Sequence, residues 1–344
     1  MTSQLRSDTL STTAGYPELT TMPPLKLHPI LKRIRWGGRR LGTVLGKPLG
    51  PEADYAESWE IADHGDDQSV VNGGQYAGAT LNHLVRTQGR ELFGDDAHRF
   101  PDQFPLLIKF LDAHDRLSIQ VHPNDSDARA YDPTENGKTE AWVILSAAPG
   151  SRVYAGLKPG INEPALREAL ASNRLEDCLH SFEVKAGDCV FIPAGTVHAI
   201  SEGILLAEVQ QQSDLTFRLH DWGRVGADGQ PRPLHIEDAL HCTDFDRGPV
   251  RCSEPVPLAG IDGGEEVVRC AYFTIRRYSG RGTVTIPHDH RFHILMGLAG
   301  NSHITAADTD ESLTLGETVL LPAARKPTTV ERNDDAVILD IFIP

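Results

Sequence analysis

The sequence predicts a mostly β protein made of two similar β domains, with a short helical insertion in the first. Apolar runs of about four to eight residues recur between turn sequences, several with polar residues at every second position. A clear helical period occurs in the short stretch 162–179. The spacing of Gly187 and Pro193 recurs at Gly316 and Pro322, which indicates that the second half repeats the strand-and-turn pattern of the first.

The length and composition are those of a globular protein with about two domains. The chain has 344 residues, 40% of them hydrophobic and 24% charged. We expect a flexible tail over 1–24, a first domain over 25–245 and a second domain over 246–344. The tail is rich in serine and threonine and has no apolar core, so it does not resemble a signal peptide.

Charge and hydropathy argue against nucleic acid and membrane as partners, and the cysteines indicate the redox compartment. The net charge of −15 argues against nucleic acid, and no apolar run approaches the roughly 20 residues of a membrane span. The five cysteines form no Cys-x-x-Cys pair, which favours reduced thiols in a cytoplasmic protein. We therefore expect a small-molecule partner, with the chain a monomer or a weak homodimer.

The first part of the chain predicts strands around one buried cation. Glu57, Trp59 and Ile61 share one strand face, which either lines a site or covers a sheet edge. The stretch 80–100 predicts a short helix. Residues 104–113 predict a buried strand that contains Lys109. A lysine in such a strand costs free energy unless it is paired, so Lys109 is expected to point into a polar cavity.

Four possible metal ligands follow. Gln120 and His122 alternate with apolar residues and therefore share one strand face. Glu140 opens the next apolar run. The segment from Gly187 to His198 predicts a short strand and then a Pro-Ala-Gly turn, which places His198 at the start of another strand. A lone strand histidine usually has a structural role, but four ligand types at these spacings predict a divalent metal site.

The remaining elements are predicted to be mainly structural. In the insertion, Asn162 is a candidate N-cap, Pro164 lies in the first turn, and leucines form an apolar stripe. The later predicted strands are 269–277, 282–286, 293–298, 313–321 and 336–342. In the repeat of the Gly-to-Pro spacing, Pro327 stands where the metal histidine would be. His288 and His290 lack a further ligand, so we predict a second domain without metal.

The motifs resemble those of a known family. Ser118-Ile-Gln-Val-His-Pro-Asn-Asp, Gly137-Lys-Thr-Glu, the segment ending at His198, and Asp214-x-x-x-Arg218 with Asp221-Trp-Gly-Arg resemble type I mannose-6-phosphate isomerases in their short bacterial form. The resemblance covers about 25–344 and is loose over the last eighty residues. The family belongs to the cupin superfamily, which implies two cupin-type, jelly-roll β-barrels.

The resemblance implies an activity and a cofactor. Members interconvert mannose 6-phosphate and fructose 6-phosphate through a cis-enediol. One Zn²⁺ per chain would lie on Gln120, His122, Glu140 and His198, the set that the spacing also indicates.

Further residues have expected catalytic roles. A lysine beside a divalent cation loses its proton more easily than in water, so Lys138 is the expected proton-transfer group. Asp214 would open the sugar ring, and Arg218 would bind the enediolate or the phosphate. We expect Ser118, Lys109 and Arg224 to bind phosphate. A structural ion pair remains the alternative for Lys109, Arg218 and Arg224.

Two departures and two alternative functions remain open. Ile200 stands where some family members have an aromatic residue, and the helical domain of the larger enzymes is reduced to 162–179. A metal-dependent dioxygenase of the cupin superfamily would need a mostly histidine shell, which Gln120 and Glu140 do not provide. A sugar-phosphate sensor without catalysis would not need Lys138, Asp214 and Arg218.

Overall fold

The computed structural model describes residues 20–225, 229–306 and 309–344, so most of the predicted tail lies outside the described residues. Most regular structure is β, which confirms the predicted fold class. The described helices are α1 (Arg40–Thr43), α2 (Leu81–Phe93), α3 (Asp125–Tyr131), α4 (Glu163–Ala171) and α5 (Ile236–Cys242). Short 3₁₀ turns occupy Gly74–Tyr76, Gly94–Arg99 and Leu175–Cys178. None of the helices in these ranges is long and apolar enough to cross a membrane.

The strands follow one another along the chain with short connections. The first fifteen are β1 (Leu25–His28), β2 (Ile30–Gly38), β3 (Tyr55–Ile61), β4 (Asp63–His64), β5 (Asp67–Gln68), β6 (Val70–Val71), β7 (Leu106–Ala113), β8 (Ile119–Val121), β9 (Glu140–Ala147), β10 (Arg152–Leu157), β11 (Leu179–Glu183), β12 (Cys189–Ile192), β13 (His198–Ile200), β14 (Ile204–Gln211) and β15 (Phe217–His220). The last ten are β16 (Val256–Pro257), β17 (Gly264–Arg269), β18 (Thr274–Ser279), β19 (Gly282–Ile286), β20 (His293–Ala299), β21 (Asn301–Ala306), β22 (Thr309–Thr314), β23 (Thr318–Leu321), β24 (Thr328–Arg332) and β25 (Val337–Phe342).

The first sandwich consists of two antiparallel sheets. Their strand orders are β12-β9-β14-β7-β3-β2 and β11-β10-β13-β8-β15. Side chains from both sheets pack together, with Trp142 and Leu206 from one meeting Val153 and Ile200 from the other. Every residue of β14 is buried, because this strand lies in the middle of the six-stranded sheet.

The second sandwich pairs an eight-stranded sheet, β16-β17-β18-β25-β20-β23-β1-β6, with a four-stranded sheet, β19-β24-β21-β22. The amino-terminal strand β1 belongs to this sandwich, because Leu25 pairs with Leu320 and Lys26 with Val319. A third group of buried side chains joins the two sandwiches, with Phe110 and Val209 on one side and Ile294 and Ile341 on the other. The predicted division of the chain at residue 245 stays a prediction.

The predicted barrels need one correction. The described strands form sheets that are stacked in pairs with free edges, not closed barrels. Each sheet ends in strands with a partner on one side only, such as β2 and β15. Each sandwich is closed by packing of its two inner faces instead of by a continuous hydrogen-bonded ring.

The helical insertion has the predicted form. Asn162 Oδ1 accepts a hydrogen bond from the Ala165 N–H, and α4 buries Leu166.

The single strand predicted over 269–277 is wrong, because β17 ends at Arg269 and β18 begins at Thr274. The Cys270 N–H donates to Phe273 O and closes a turn between them. A polar residue at every second position does not distinguish one long strand from two strands of a hairpin.

Candidate metal centre and adjoining cavity

The four predicted ligands come from both sheets of the first sandwich. In the five-stranded sheet, Gln120 on β8 pairs in register with His198 on β13, and His122 follows β8 directly. Glu140 begins β9 in the six-stranded sheet, opposite Ile192. Since inner faces of stacked sheets meet, this arrangement brings residues far apart in sequence into contact.

The donor atoms converge on one point. His122 Nε2 lies 3.5 Å from Glu140 Oε2, and His198 Nε2 lies 3.4 Å from Glu140 Oε1. The Gln120 amide nitrogen lies 3.5 Å from His122 Nε2 and 3.3 Å from His198 Nε2. Rotation of the Gln120 amide about its last bond exchanges its nitrogen and oxygen, which offers the oxygen to the same point. Across 20–225, 229–306 and 309–344, His122, Glu140 and His198 form the one cluster of three or more candidate metal ligands from histidine, cysteine or carboxylate side chains.

Backbone carbonyls fix both imidazoles in the tautomer that a metal requires. His122 Nδ1 lies 2.9 Å from Leu215 O, and His198 Nδ1 lies 2.9 Å from Thr196 O. A carbonyl can only accept, so each Nδ1 carries the proton and each Nε2 presents its lone pair to the cluster.

Burial makes this arrangement costly unless a cation is present. His122, Glu140 and His198 are each 1% exposed. Burial holds the pKa of His122 well below its ordinary value and lowers the pKa of His198 to about 4. Burial and the neighbouring Glu208 carboxylate raise the pKa of Glu140, and its Oε2 has no hydrogen-bond partner. Neutral imidazoles around a carboxylate oxygen with no hydrogen-bond partner fit a divalent cation.

A cavity of about 360 Å³ opens beside the cluster. Its apolar wall includes Trp36, Leu111 and Leu117. Its polar wall contains six of the predicted site residues, namely Lys109, Ser118, Gln120, Lys138, Asp214 and Arg218. Three further charged residues line it. Glu57 belongs to the strand face for which the sequence left open a role in lining a site, whereas Glu208 and Arg232 were not placed in the site by sequence reasoning.

Two of the predicted catalytic residues have contacts that hold them at this wall. Lys138 is 4% exposed and its Nζ lies 3.8 Å from Glu140 Oε2. Arg218 is half-buried, and its Nε donates to Ser118 Oγ at 3.3 Å while its Nη1 donates to Pro233 O. Burial and the nearby Arg232 guanidinium lower the pKa of Arg218, so an anion between them would be stabilised.

Lys109 points into the polar cavity, as the sequence predicts, and is ion-paired there. Its Nζ lies 3.1 Å from Glu208 Oε1 and 3.3 Å from Glu57 Oε2. Glu208 Oε2 also accepts from Trp142 Nε1 at 3.0 Å. Although Lys109 is buried, the two carboxylates raise its pKa. Glu208 is a charged residue in a buried strand, the same signal that identified Lys109 in the sequence.

Arg224 lies outside the cavity wall and is engaged by other residues. Its Nη2 lies 2.5 Å from Asp221 Oδ1, and its Nη1 donates to Arg116 O. Asp221 also accepts from Arg232, whose side chain does line the cavity. Arg232 lies in a loop with no sequence periodicity, so no sequence signal singled it out.

Comparison with known proteins shows similarity over most of the chain. A family model described as phosphomannose isomerase type I, catalytic domain, matches residues 25–153. The mannose-6-phosphate isomerase of Streptococcus mutans is 34% identical over 299 residues, which are 87% of this chain and 92% of that protein. The mannose-6-phosphate isomerase ManA of Bacillus subtilis is also 34% identical, over 88% of this chain and 94% of that protein.

A solved structure extends this similarity to the fold. The crystal structure of the mannose 6-phosphate isomerase from Bacillus subtilis superposes with a TM-score of 0.86 at 29% sequence identity. The match covers 94% of this chain and 100% of that chain. A match of this extent includes both sandwiches.

Proposed function

The chain belongs to the type I phosphomannose isomerase family, and on this premise we propose that it interconverts mannose 6-phosphate and fructose 6-phosphate with one zinc ion per chain. The observation that carries the proposal is the position of the buried His122, Glu140 and His198 cluster beside an open cavity. The cavity wall supplies both proton-transfer candidates and cations, as an aldose–ketose isomerase of a sugar phosphate requires.

Gln120, His122, Glu140 and His198 would hold the metal. Amide, imidazole and carboxylate donors suit Zn²⁺, and the single carboxylate would leave the ion with positive charge. Bound there, the ion would act as a Lewis acid that stabilises negative charge on a sugar oxygen.

Lys138 is the proposed proton-transfer residue. It takes the proton from C2 of the open-chain aldose, and the C1 carbonyl oxygen gains a proton, which leaves a cis-enediol. The proton then returns to C1 while the C2 hydroxyl loses its proton, and the ketose results. No oxidant is consumed, because the carbonyl has moved from C1 to C2 within one molecule. Asp214, on the same cavity wall, is the proposed acid or base for ring opening.

Part of the cavity wall suits a phosphate. Arg218 donates to Ser118 Oγ, and Arg232 lies close enough to lower the pKa of Arg218. We propose that Ser118, Arg218 and Arg232 bind the phosphate oxygens. Lys109 would balance Glu57 and Glu208, and Arg224 would act indirectly by sharing Asp221 with Arg232.

A coupled assay tests the proposal. Purified protein is given mannose 6-phosphate, and fructose 6-phosphate formation is followed before and after removal of metal by a chelator. We expect turnover that disappears with chelator and returns with added Zn²⁺. Turnover that survives complete metal removal would contradict the metal-dependent mechanism. Equal turnover of glucose 6-phosphate would contradict the substrate assignment and leave the reaction type intact.

A further inference from the structure

The second sandwich contributes one side chain to a hydrogen-bond network around the segment that leads into β9, where Lys138 precedes the strand and Glu140 begins it. We propose that Tyr272 is a positioning residue, which acts through Asp125 to hold the Gly137–Thr139 backbone and so aims Lys138 and Glu140. The inference rests on the proposed function, because Lys138 and Glu140 matter through that reaction.

Three successive N–H groups immediately before β9 have fixed acceptors. The Gly137 N–H donates to Asp125 Oδ1 at 2.9 Å. The Lys138 N–H donates to Pro123 O at 3.0 Å, and the Thr139 N–H donates to Gln211 Oε1 at 3.0 Å. The backbone on both sides of the Lys138 side chain is therefore held by residues outside β9.

Asp125 joins these contacts into one network. Its Oδ1 accepts from the Gly137 N–H and from Gln211 Nε2, which lies 2.9 Å away. Its Oδ2 accepts from the Tyr272 hydroxyl at 2.9 Å. Asp125 begins α3, three residues after His122, so one carboxylate connects the segment after β8 to the segment before β9.

The close approach at Gly137 is an independent sign that this junction is tightly defined. A Cβ at Gly137 would lie 2.6 Å from Asp125 N and 2.7 Å from Asn124 C. Such distances are well inside van der Waals contact, and the obstructing atoms are backbone, which cannot rotate away. The junction accepts glycine alone without a shift of the start of α3.

Tyr272 is well placed to constrain Asp125. It lies in the turn between β17 and β18, whose ends are tied by the Cys270 N–H to Phe273 O bond, and the adjacent Phe273 is fully buried. Burial and the Asp125 carboxylate raise the pKa of Tyr272 to about 12, so its hydroxyl stays a donor. The hydrogen bond spans 147 positions in sequence and connects the second sandwich to the catalytic junction.

Tyr272→Phe removes the hydroxyl and keeps the ring. We expect kcat to fall roughly tenfold, because the hydroxyl that helps to position Lys138 and Glu140 is lost. KM and zinc content should stay near the wild-type values, because Tyr272 lies outside the metal-ligand shell. Tyr131→Phe is the matched control: it lies on α3, is 55% exposed and packs its ring on Phe217. A wild-type kcat for Tyr272→Phe, or an equal loss in Tyr131→Phe, would overturn the proposal.

Asp125→Ala tests the same network from its centre. We expect kcat to fall about 10–100-fold, with partial recovery in Asp125→Asn, which keeps one oxygen acceptor. Combining Tyr272→Phe with Asp125→Ala should add little to Asp125→Ala alone, because both changes break one network. Additive losses of kcat would show that Tyr272 acts by another route and would overturn the proposed network.

Hydrogen exchange provides a readout that does not depend on turnover. In Asp125→Ala, amide exchange in a peptide covering 136–141 should accelerate, and in Tyr272→Phe it should accelerate less. Unchanged exchange in both variants would overturn the network even if the enzyme is active. Accelerated exchange in a protein that does not isomerise mannose 6-phosphate would instead overturn the proposed function and leave the network standing.

Discussion

At the scale of single residues, what distinguishes His122 and His198 is the use of both ring nitrogens. Each Nδ1 faces a backbone carbonyl, and each Nε2 faces Glu140. A structural histidine needs only one such partner. Two histidines oriented in this way around one carboxylate are difficult to explain by packing alone, because three buried polar groups would meet without sufficient donors.

The ligand set can be tested by replacing His198 with alanine. Removal of one imidazole should reduce bound zinc from one ion per chain to a small fraction of that amount and abolish turnover, since the remaining donors no longer enclose the ion. Metal content after dialysis is measured by elemental analysis alongside the coupled assay. The exposed His28 gives the control variant His28→Ala, which should keep both. Full zinc and full activity in His198→Ala would refute the proposed ligands.

Lys138→Met tests the proton-transfer residue. The substitution keeps the length of the unbranched stem and removes the amine, so zinc should stay bound while kcat falls about 10²–10⁴-fold. Steady-state kinetics separates kcat from KM. The exposed Lys326 provides the comparison variant Lys326→Met, which should behave as wild type. If only KM rose in Lys138→Met, this lysine would belong with the phosphate-binding residues.

The convergence of the candidate metal ligands could be predicted from sequence because strand geometry fixes which residues share a face. Gln120 and His122 are two apart, and the turns around Gly187 and Pro193 determine where His198 begins its strand. Arg232 could not be found in the same way. It reaches the cavity from a loop, where neither period nor turn type predicts the direction of a side chain.

At the scale of elements, the sequence predicted strands and the inserted helix better than it predicted connections. α3 lies in the connection between β8 and β9, where the sequence analysis names no helix, and Asn124 Oδ1 caps it by accepting from the Ser126 and Asp127 N–H groups. The signal was present in Asn124 and the acidic first turn. The turn at 270–273 gave no such signal, because tertiary contacts decide where that strand breaks.

An ion pair between connecting elements makes a pH-dependent contribution to stability. His64 Nε2 on β4 lies 2.9 Å from Glu135 Oε1, in the segment before β9. The hydrogen bond to Glu135 raises the pKa of His64, and the hydrogen bond to His64 lowers the pKa of Glu135. The histidine contribution is complete below about pH 6.5 and is lost as pH rises through the folded-state pKa. The glutamate contribution is complete above about pH 4.5 and is lost as pH falls through its folded-state pKa.

The pair should therefore stabilise the fold most between about pH 4.5 and 6.5. We expect His64→Gln to lower the free energy of unfolding by about 1 kcal/mol near pH 5.5 and by less at pH 8. Urea unfolding at several pH values measures this difference. Glu135→Gln should show the same window, since it breaks the same pair. A loss that is constant from pH 5 to 8 would assign the effect to packing.

At the scale of the whole molecule, the two sandwiches share a core, and two early strands of the chain belong to the second sandwich. β1 and β6 precede most of the first sandwich in sequence and complete the large sheet of the second. The sequence predicted two β units, but it could not predict that β1 and β6 join the second one, because an isolated strand pattern carries no information about which sheet it joins. The shared core explains how Tyr272 can reach a junction in the first sandwich.

Phe292 lies at the centre of this shared core, and its replacement should destabilise both sandwiches at once. Its ring centroid lies 5.0 Å from that of Phe104 and 5.8 Å from that of Phe93, and it is 1% exposed. We expect Phe292→Ala to lower the free energy of unfolding by about 3–5 kcal/mol, and Phe292→Leu to cost less because it leaves a smaller cavity.

Urea unfolding followed by far-ultraviolet circular dichroism and by tryptophan fluorescence should give one coincident transition in the wild type. The wild-type tryptophans, among them Trp36, Trp59 and Trp142, lie in the first sandwich, whereas circular dichroism reports on both. Two separated transitions in the wild type would mean that the sandwiches unfold independently, and the shared core would then contribute little to their stability.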